Sequence, residues 1–206
     1  GEDFYNRGGY VDYLRANYDN TPERMGHADS WVAYDETWAE AGSAPFSRRK
    51  TYSREGGMVA PMIVRGPSVS ARGAIEDAYV TVMDLAPTFL ELAGASYPDD
   101  GSVRPMLGES MMGLLSGVAD RVHGDDYVTT LYHANRGFVR RGRWKLVSLE
   151  PPFSTDDMEL FDILADPGET RDLRAIEPAI HAEMLALWAS EKERLGIRFE
   201  SERPTR

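Results

Sequence analysis

The sequence predicts a chain of mixed α/β or α+β class, with a small antiparallel sheet and a helix packed on it near the C-terminal end. Two observations carry this. "DYVTTLYHAN", "RGFVRRGRWKLVSL" and "MELFDILADPGETRDL" alternate apolar and polar residues and are separated by turn signals. "EPAIHAEMLALWASEKERLG" then repeats apolar residues at helical spacing, with Ile180, Met184, Leu187, Trp188 and Leu195 on one face.

The elements follow in order. Residues 1–50 read as loop-rich, with short helical stretches. The aromatics Phe4, Tyr5, Tyr10, Tyr13, Tyr18, Trp31, Tyr34 and Trp38 are spaced to anchor a long irregular excursion. "MVAPMIVRGP" reads as a buried strand, rich in Val and Ile and bounded by Gly-Gly and Gly-Pro; Pro61 within it points to an edge or a bulge. "IEDAYVTVMDLAPTFLELAG" reads as a helix, with Pro87 pointing to a start of the regular helix near there. Val82, Leu85, Phe89, Leu92 and Ala93 recur at helical spacing, Asp84 stands where an N-terminal cap belongs, and Gly94 supplies the stop. "GESMMGLLSG" is a second, short helix. "RRGR" reads as a hairpin turn and "ADPGET" as a turn leaving a strand.

Composition narrows the function classes. The net charge of −11 argues against a general nucleic-acid binder, which needs excess Lys and Arg against phosphate. No apolar run is long enough to span a bilayer, and the first residues lack the pattern of a signal peptide. There is no cysteine, so this chain has neither disulfides nor a Cys nucleophile.

One stretch suggests chemistry. In "APFSRRKTYSREGGMVAPMIVRGP" the cations Arg48, Arg49 and Lys50 precede Glu55-Gly56-Gly57 and an apolar run. An ammonium on such a loop can bind a sulfuryl or phosphoryl oxygen and offset charge as a bond breaks. The competing reading is a solvated cationic loop beside a turn that opens a strand. His27, His123, His133 and His181 have no zinc-site spacing. Asp99-Asp100 and Asp125-Asp126 sit among loop residues. No nucleophile stands beside a base.

These segments resemble, in order, those of the type I sulfatases, a branch of the alkaline-phosphatase-like superfamily. "KTYSREGGMVAPMIVRGP" is similar to the sulfatase segment in which a Lys precedes Glu-Gly-Gly and a strand. "TVMDLAPTFLELAG", "GESMMGLLSG", "VRRGRWKLV" and "MELFDILADPGETRDL" resemble its later segments. "YLRANYDNTPERMGHADSWVAYDETWAEAGSAPFSRRK" looks like the long loop of bacterial arylsulfatases.

The resemblance implies that Lys50 contacts the sulfate group and serves in catalysis. It implies that Gly56 and Gly57 lead into a strand of a large sheet, and that Trp144 and Lys145 serve packing and surface in the small one. It implies a small-molecule sulfate ester as substrate, with calcium and formylglycine as cofactors. The C-x-P-S-R or S-x-P-S-R segment that yields formylglycine does not occur here, and the family's calcium-binding segments, with their N-terminal paired aspartates and later Asp-Asn, have no match in the chain. Val59 and Gly137-Phe138 depart from a commoner Arg and Arg-Ala.

The chain is therefore expected to be the C-terminal portion of an arylsulfatase, inactive alone, with the N-terminal remainder as its partner. Residues 1–120 would end the large α/β domain and 121–206 would form a small α+β subdomain. The alternatives are a phosphodiesterase or phosphonate monoester hydrolase of the same superfamily, and a non-catalytic binding domain.

Overall fold

Tight turns and apolar residues directed to both faces build the sheet. The computed structural model describes residues 9–31, 36–70, 73–149, 151–199 and 202. Four strands form an antiparallel meander: β1 (Val128–His133), β2 (Arg136–Arg141), β3 (Trp144–Ser148) and β4 (Glu159–Asp162). Ala134 and Asn135, both at positive φ (50° and 57°), join β1 to β2 in the geometry of a type I′ turn. Gly142 (φ 55°) and Arg143 join β2 to β3, as "RRGR" predicts.

The register then sorts side chains to two faces. Val139 lies opposite Leu146, which lies opposite Leu160. All three are buried with Met158 against Met184 and Trp188 of the C-terminal helix (Pro178–Leu195). Pro178 opens that helix where its missing N–H costs nothing, and Gly196 closes it at φ 66°. Gly137 makes room for it. A Cβ there would lie 2.7 Å from Cη2 of Trp188.

On the other face Phe138, Val147, Phe161 and Ile163 form a second buried cluster. Lys145 lies on this face too, between Arg140 and Phe161 in register.

Residues Gly1–Ala44 and Pro45–Arg206 are two compact units. In the first, α1 (Gly9–Asn17) and α2 (Glu36–Ser43) flank a 3-10 turn at Pro22–Arg24. Tyr18 packs edgewise near Tyr13 and against Trp31, with ring centroids 6.3 and 5.8 Å apart. Phe4, Tyr5 and Tyr34 lie outside the described residues.

The second unit begins with α3 (Glu55–Met58) and continues through α4 (Leu85–Ala93) and α5 (Met112–Ser116) to the sheet; the C-terminal helix is α6. Two expectations are corrected here. "MVAPMIVRGP" is not a buried strand within this chain. Its backbone leaves α3 extended at Val59 (φ −80°, ψ 132°), but it joins no ladder among the described residues, and Ile63 is 95% exposed. A strand needs a neighbour for its N–H and C=O groups. The four strands present pair with one another, and Pro61 has no N–H to donate.

The apolar stripe of α4 is also not buried: Val82, Phe89 and Leu92 are exposed, and Thr88 is the residue that packs inward. The helical spacing and the stop at Gly94 (φ 62°) are as expected.

Candidate active-site loop

Residues 47–58 form a short loop closed on one turn of helix. Gly56 N–H donates to the Ser47 carbonyl (3.0 Å), and Tyr52 N–H to that of Arg49 (3.1 Å). The two glycines are dictated by close approach. A Cβ on Gly56 would lie 2.2 Å from the Arg48 carbonyl oxygen, and one on Gly57 2.2 Å from that of Tyr52. Arg48 (φ 66°) and Thr51 (φ 82°) occupy the left-handed region without being glycine. Such backbone persists only where its surroundings over-determine it.

The three cations separate. The guanidinium groups of Arg48 and Arg49 lie 5.1 and 5.2 Å from the Tyr52 ring centroid, and that of Arg136 lies 4.4 Å from it. Lys50, at the tip between the two left-handed residues, is exposed. No carboxylate among the described residues pairs with it. The nearest carboxylate along the sequence, that of Glu55, is turned elsewhere.

Glu55 faces the second surface of the sheet. Its Oε1 lies 2.5 Å from Nζ of Lys145, and its backbone N–H donates to Oε2 of Glu169 (2.6 Å). Lys145 Nζ also lies 3.0 Å from Glu169 Oε1, paired in charge but off line for a hydrogen bond. Lys145 is fully buried, and Glu169 nearly so. Burial pushes the Glu169 carboxyl above its ordinary range, while Lys145 pulls it back.

Next to them Arg54 lies over the Phe161 ring (4.7 Å), pairs with Glu159 (2.6 Å) and donates to the Glu169 carbonyl. The loop that carries Lys50 is thus tied to β3, to β4 and to the turn after β4.

Sequence reasoning placed Lys145 at packing and surface. The structure places it inside a charge cluster with Arg54, Glu55, Glu159 and Glu169. The available signal was a cation in the middle of "WKLV"; that both faces of its strand are covered is seen only in the fold.

A second buried polar group lies at the start of α4. Asp84 does not cap α4 with its own side chain. It turns back onto Thr81 N–H (2.5 Å), accepts Glu109 N–H (2.9 Å) and lies 2.9 Å from His123 Nε2. His123 stacks on Tyr127 with centroids 3.6 Å apart. His133 and His27 are exposed, and His181 Nε2 lies 3.0 Å from the Met158 carbonyl. Asp99, Asp100, Asp125 and Asp126 are exposed.

Among the described residues no three His, Asp or Glu side chains converge as a metal ion would need. Those described residues assemble no donor set for calcium, and with no Cys and no S-x-P-S-R segment the sequence holds no precursor for formylglycine. None of the described helices is long and apolar enough to cross a membrane.

Known proteins share these segments. The model of the family "N-sulphoglucosamine sulphohydrolase, C-terminal" matches residues 44–189. An uncharacterized sulfatase of Schizosaccharomyces pombe is 29% identical over 189 residues, which cover 87% of this chain and 33% of the relative. The arylsulfatase of Klebsiella aerogenes is 33% identical over 99 residues, covering 46% of this chain and 21% of its own length. The crystal structure of Ps i-CgsB superposes with a TM-score of 0.59 at 23% identity, over 71% of this chain and 32% of that one, and so shares its fold. The chain spans about a third or less of the length of these proteins. Matched along most of its length, from the cationic loop to the last helix, the chain belongs to the sulfatases, through the family of their C-terminal domain.

Proposed function

We propose that this chain is the C-terminal portion of an arylsulfatase-like enzyme that hydrolyses sulfate esters, and that Lys50 contacts the sulfate group. The observation that carries this is the state of Lys50: an exposed ammonium without a carboxylate partner among the described residues, at the tip of a loop tied to a sheet. As the S–O bond breaks, negative charge grows on the sulfuryl and departing oxygens. A fixed ammonium offsets it without having to reorganise.

The nucleophile and the calcium ligands are supplied by residues outside this chain, so the chain alone turns over no ester. In the same proposal residues 1–120 end the large α/β domain, and 121–206, which hold β1–β4 and α6, form the small subdomain. The missing nucleophile and the fraction of each relative that is covered support this reading.

The test is Lys50→Ala in the complete enzyme. It is expected to lower kcat/KM for an aryl sulfate by about a hundredfold, as for loss of one oxyanion donor. Unchanged kcat/KM would remove Lys50 from the site. Faster turnover of aryl phosphate than of aryl sulfate esters by the native enzyme would overturn the substrate class.

A further inference from the structure

We infer that Lys145, Glu55 and Glu169 are positioning residues for Lys50: a buried charge triad on the far side of the loop that fixes where the exposed ammonium stands. The inference rests on the reading of Lys50 as the sulfate contact.

The connections are short. Glu169 Oε2 accepts the Glu55 N–H, and Lys145 Nζ holds the Glu55 carboxylate. Glu55 is the first residue of α3, and the next two residues are the glycines on which the loop closes. The Gly56 N–H holds the carbonyl of Ser47, and the carbonyls of Arg48, Arg49 and Tyr52 lie against the two glycine Cα atoms. Lys50 lies in the chain between the residues whose carbonyls are held in this way. A shift of Glu55 therefore moves the backbone on both sides of Lys50.

Charge adds a second reason. Glu55 is the carboxylate closest to Lys50 in sequence. Held on Lys145, it does not neutralise the ammonium that an incoming anion would meet.

The energetics favour positioning over mere adhesion. Two carboxylates and an ammonium taken out of water gain little net stability, and a well-packed apolar set of the same volume often holds as well. What the triad provides is direction: each charge has defined partners, so the turn has one seating. An error of about 1 Å in a charged group at a reacting centre can cost about a hundredfold in rate.

The experiment is a double-mutant cycle in the complete enzyme, with kcat and KM measured separately on an aryl sulfate. Glu55→Gln and Lys145→Met are each made in the native background and in Lys50→Ala. In the native background each is expected to lower kcat/KM about tenfold, mainly through kcat, because a contact made in the transition state is displaced. In the Lys50→Ala background each is expected to change kcat/KM less than about twofold, because the residue acts through Lys50.

Equal losses in both backgrounds, or no loss in the native one, would overturn the inference. If Lys145→Met does not fold, Glu55→Gln decides. It keeps the shape of the side chain and the backbone bond to Glu169, and it leaves Lys145 beside Glu169. A large effect of Lys50→Ala with no effect of Glu55→Gln overturns the positioning role alone. No effect of Lys50→Ala overturns the reading of Lys50 and the positioning role together.

Discussion

Lys145 Nζ and Glu55 Oε1 lie 2.5 Å apart although 90 residues separate them along the chain. The lysine is fully buried, and the glutamate side chain is 13% exposed. Removing one partner strands the other charges in a poor solvent. Lys145→Ala is expected to cost about 3–5 kcal/mol of folding stability. Denaturant unfolding of the variant and parent proteins checks this, with Arg121→Ala, which removes only exposed ion pairs, as the control. A loss below about 1 kcal/mol would mean that water reaches the site.

Gly56 and Gly57 are required by space. Alanine at either position would press a Cβ against backbone carbonyls, at 2.2 Å in both cases. Backbone yields less readily than a side chain, so Gly56→Ala is expected to cost about 1–3 kcal/mol and to move Lys50. Thermal melts with activity on the same samples test this. A variant as active and as stable as the parent would show that the loop can open without consequence.

Asp84 is a buried carboxylate with several donors converging on it. Asp84→Ala leaves the Thr81 and Glu109 N–H groups and His123 Nε2 without it. Buried donors left unmade cost about 1–3 kcal/mol each, so a loss of about 3 kcal/mol or more is expected. Asp84→Asn, which keeps one acceptor oxygen, should lose less. Equal losses for the two would show that the shape of the side chain matters more than its hydrogen bonds.

Two carboxyl groups bend the pH profile of stability in opposite senses. Asp162 is held below the ordinary range, chiefly by its hydrogen bond from Arg143. Its contribution is complete above the unfolded aspartate value and is lost as pH falls through the lowered one. Glu169 is held above the ordinary range by burial. The native state therefore binds its proton more tightly than the unfolded chain does, and that contribution is lost as pH rises through the raised value. Urea midpoints measured from about pH 3 to about pH 7 should show a shallower acid loss for Asp162→Asn. For Glu169→Gln they should show a shallower decline above the ordinary glutamate range. Curves parallel to the parent would refute the assignment of each group.

Local signals were legible in the sequence. Alternation placed all four strands, "RRGR" its turn, and the 3.6-residue spacing the long helix with Met184 and Trp188 inward. Non-local facts were not. Alternation puts Lys145 opposite Leu146, and a lysine on the face away from the helix reads as solvent-facing. Only the fold shows that the loop of Arg54 and Glu55 covers that face.

"MVAPMIVRGP" erred the other way. Its composition demands burial, but burial needs a neighbour, and no strand among the described residues supplies one. At the loop, the cations Arg48, Arg49 and Lys50 look alike in sequence. The Tyr52 ring, which gathers the two arginines, sets the lysine apart.

The sequence holds only three lysines, and the fold gives each a different exposure. Lys50 is open, Lys192 is paired with Glu202 and lies over Phe199, and Lys145 is sealed. An amine-reactive label should therefore mark these positions in order: Lys50 first, Lys192 more slowly, Lys145 only when the sheet opens. Mass spectrometry of the labelled peptides would follow the Lys50 loop and the folding of the domain in one unmutated sample.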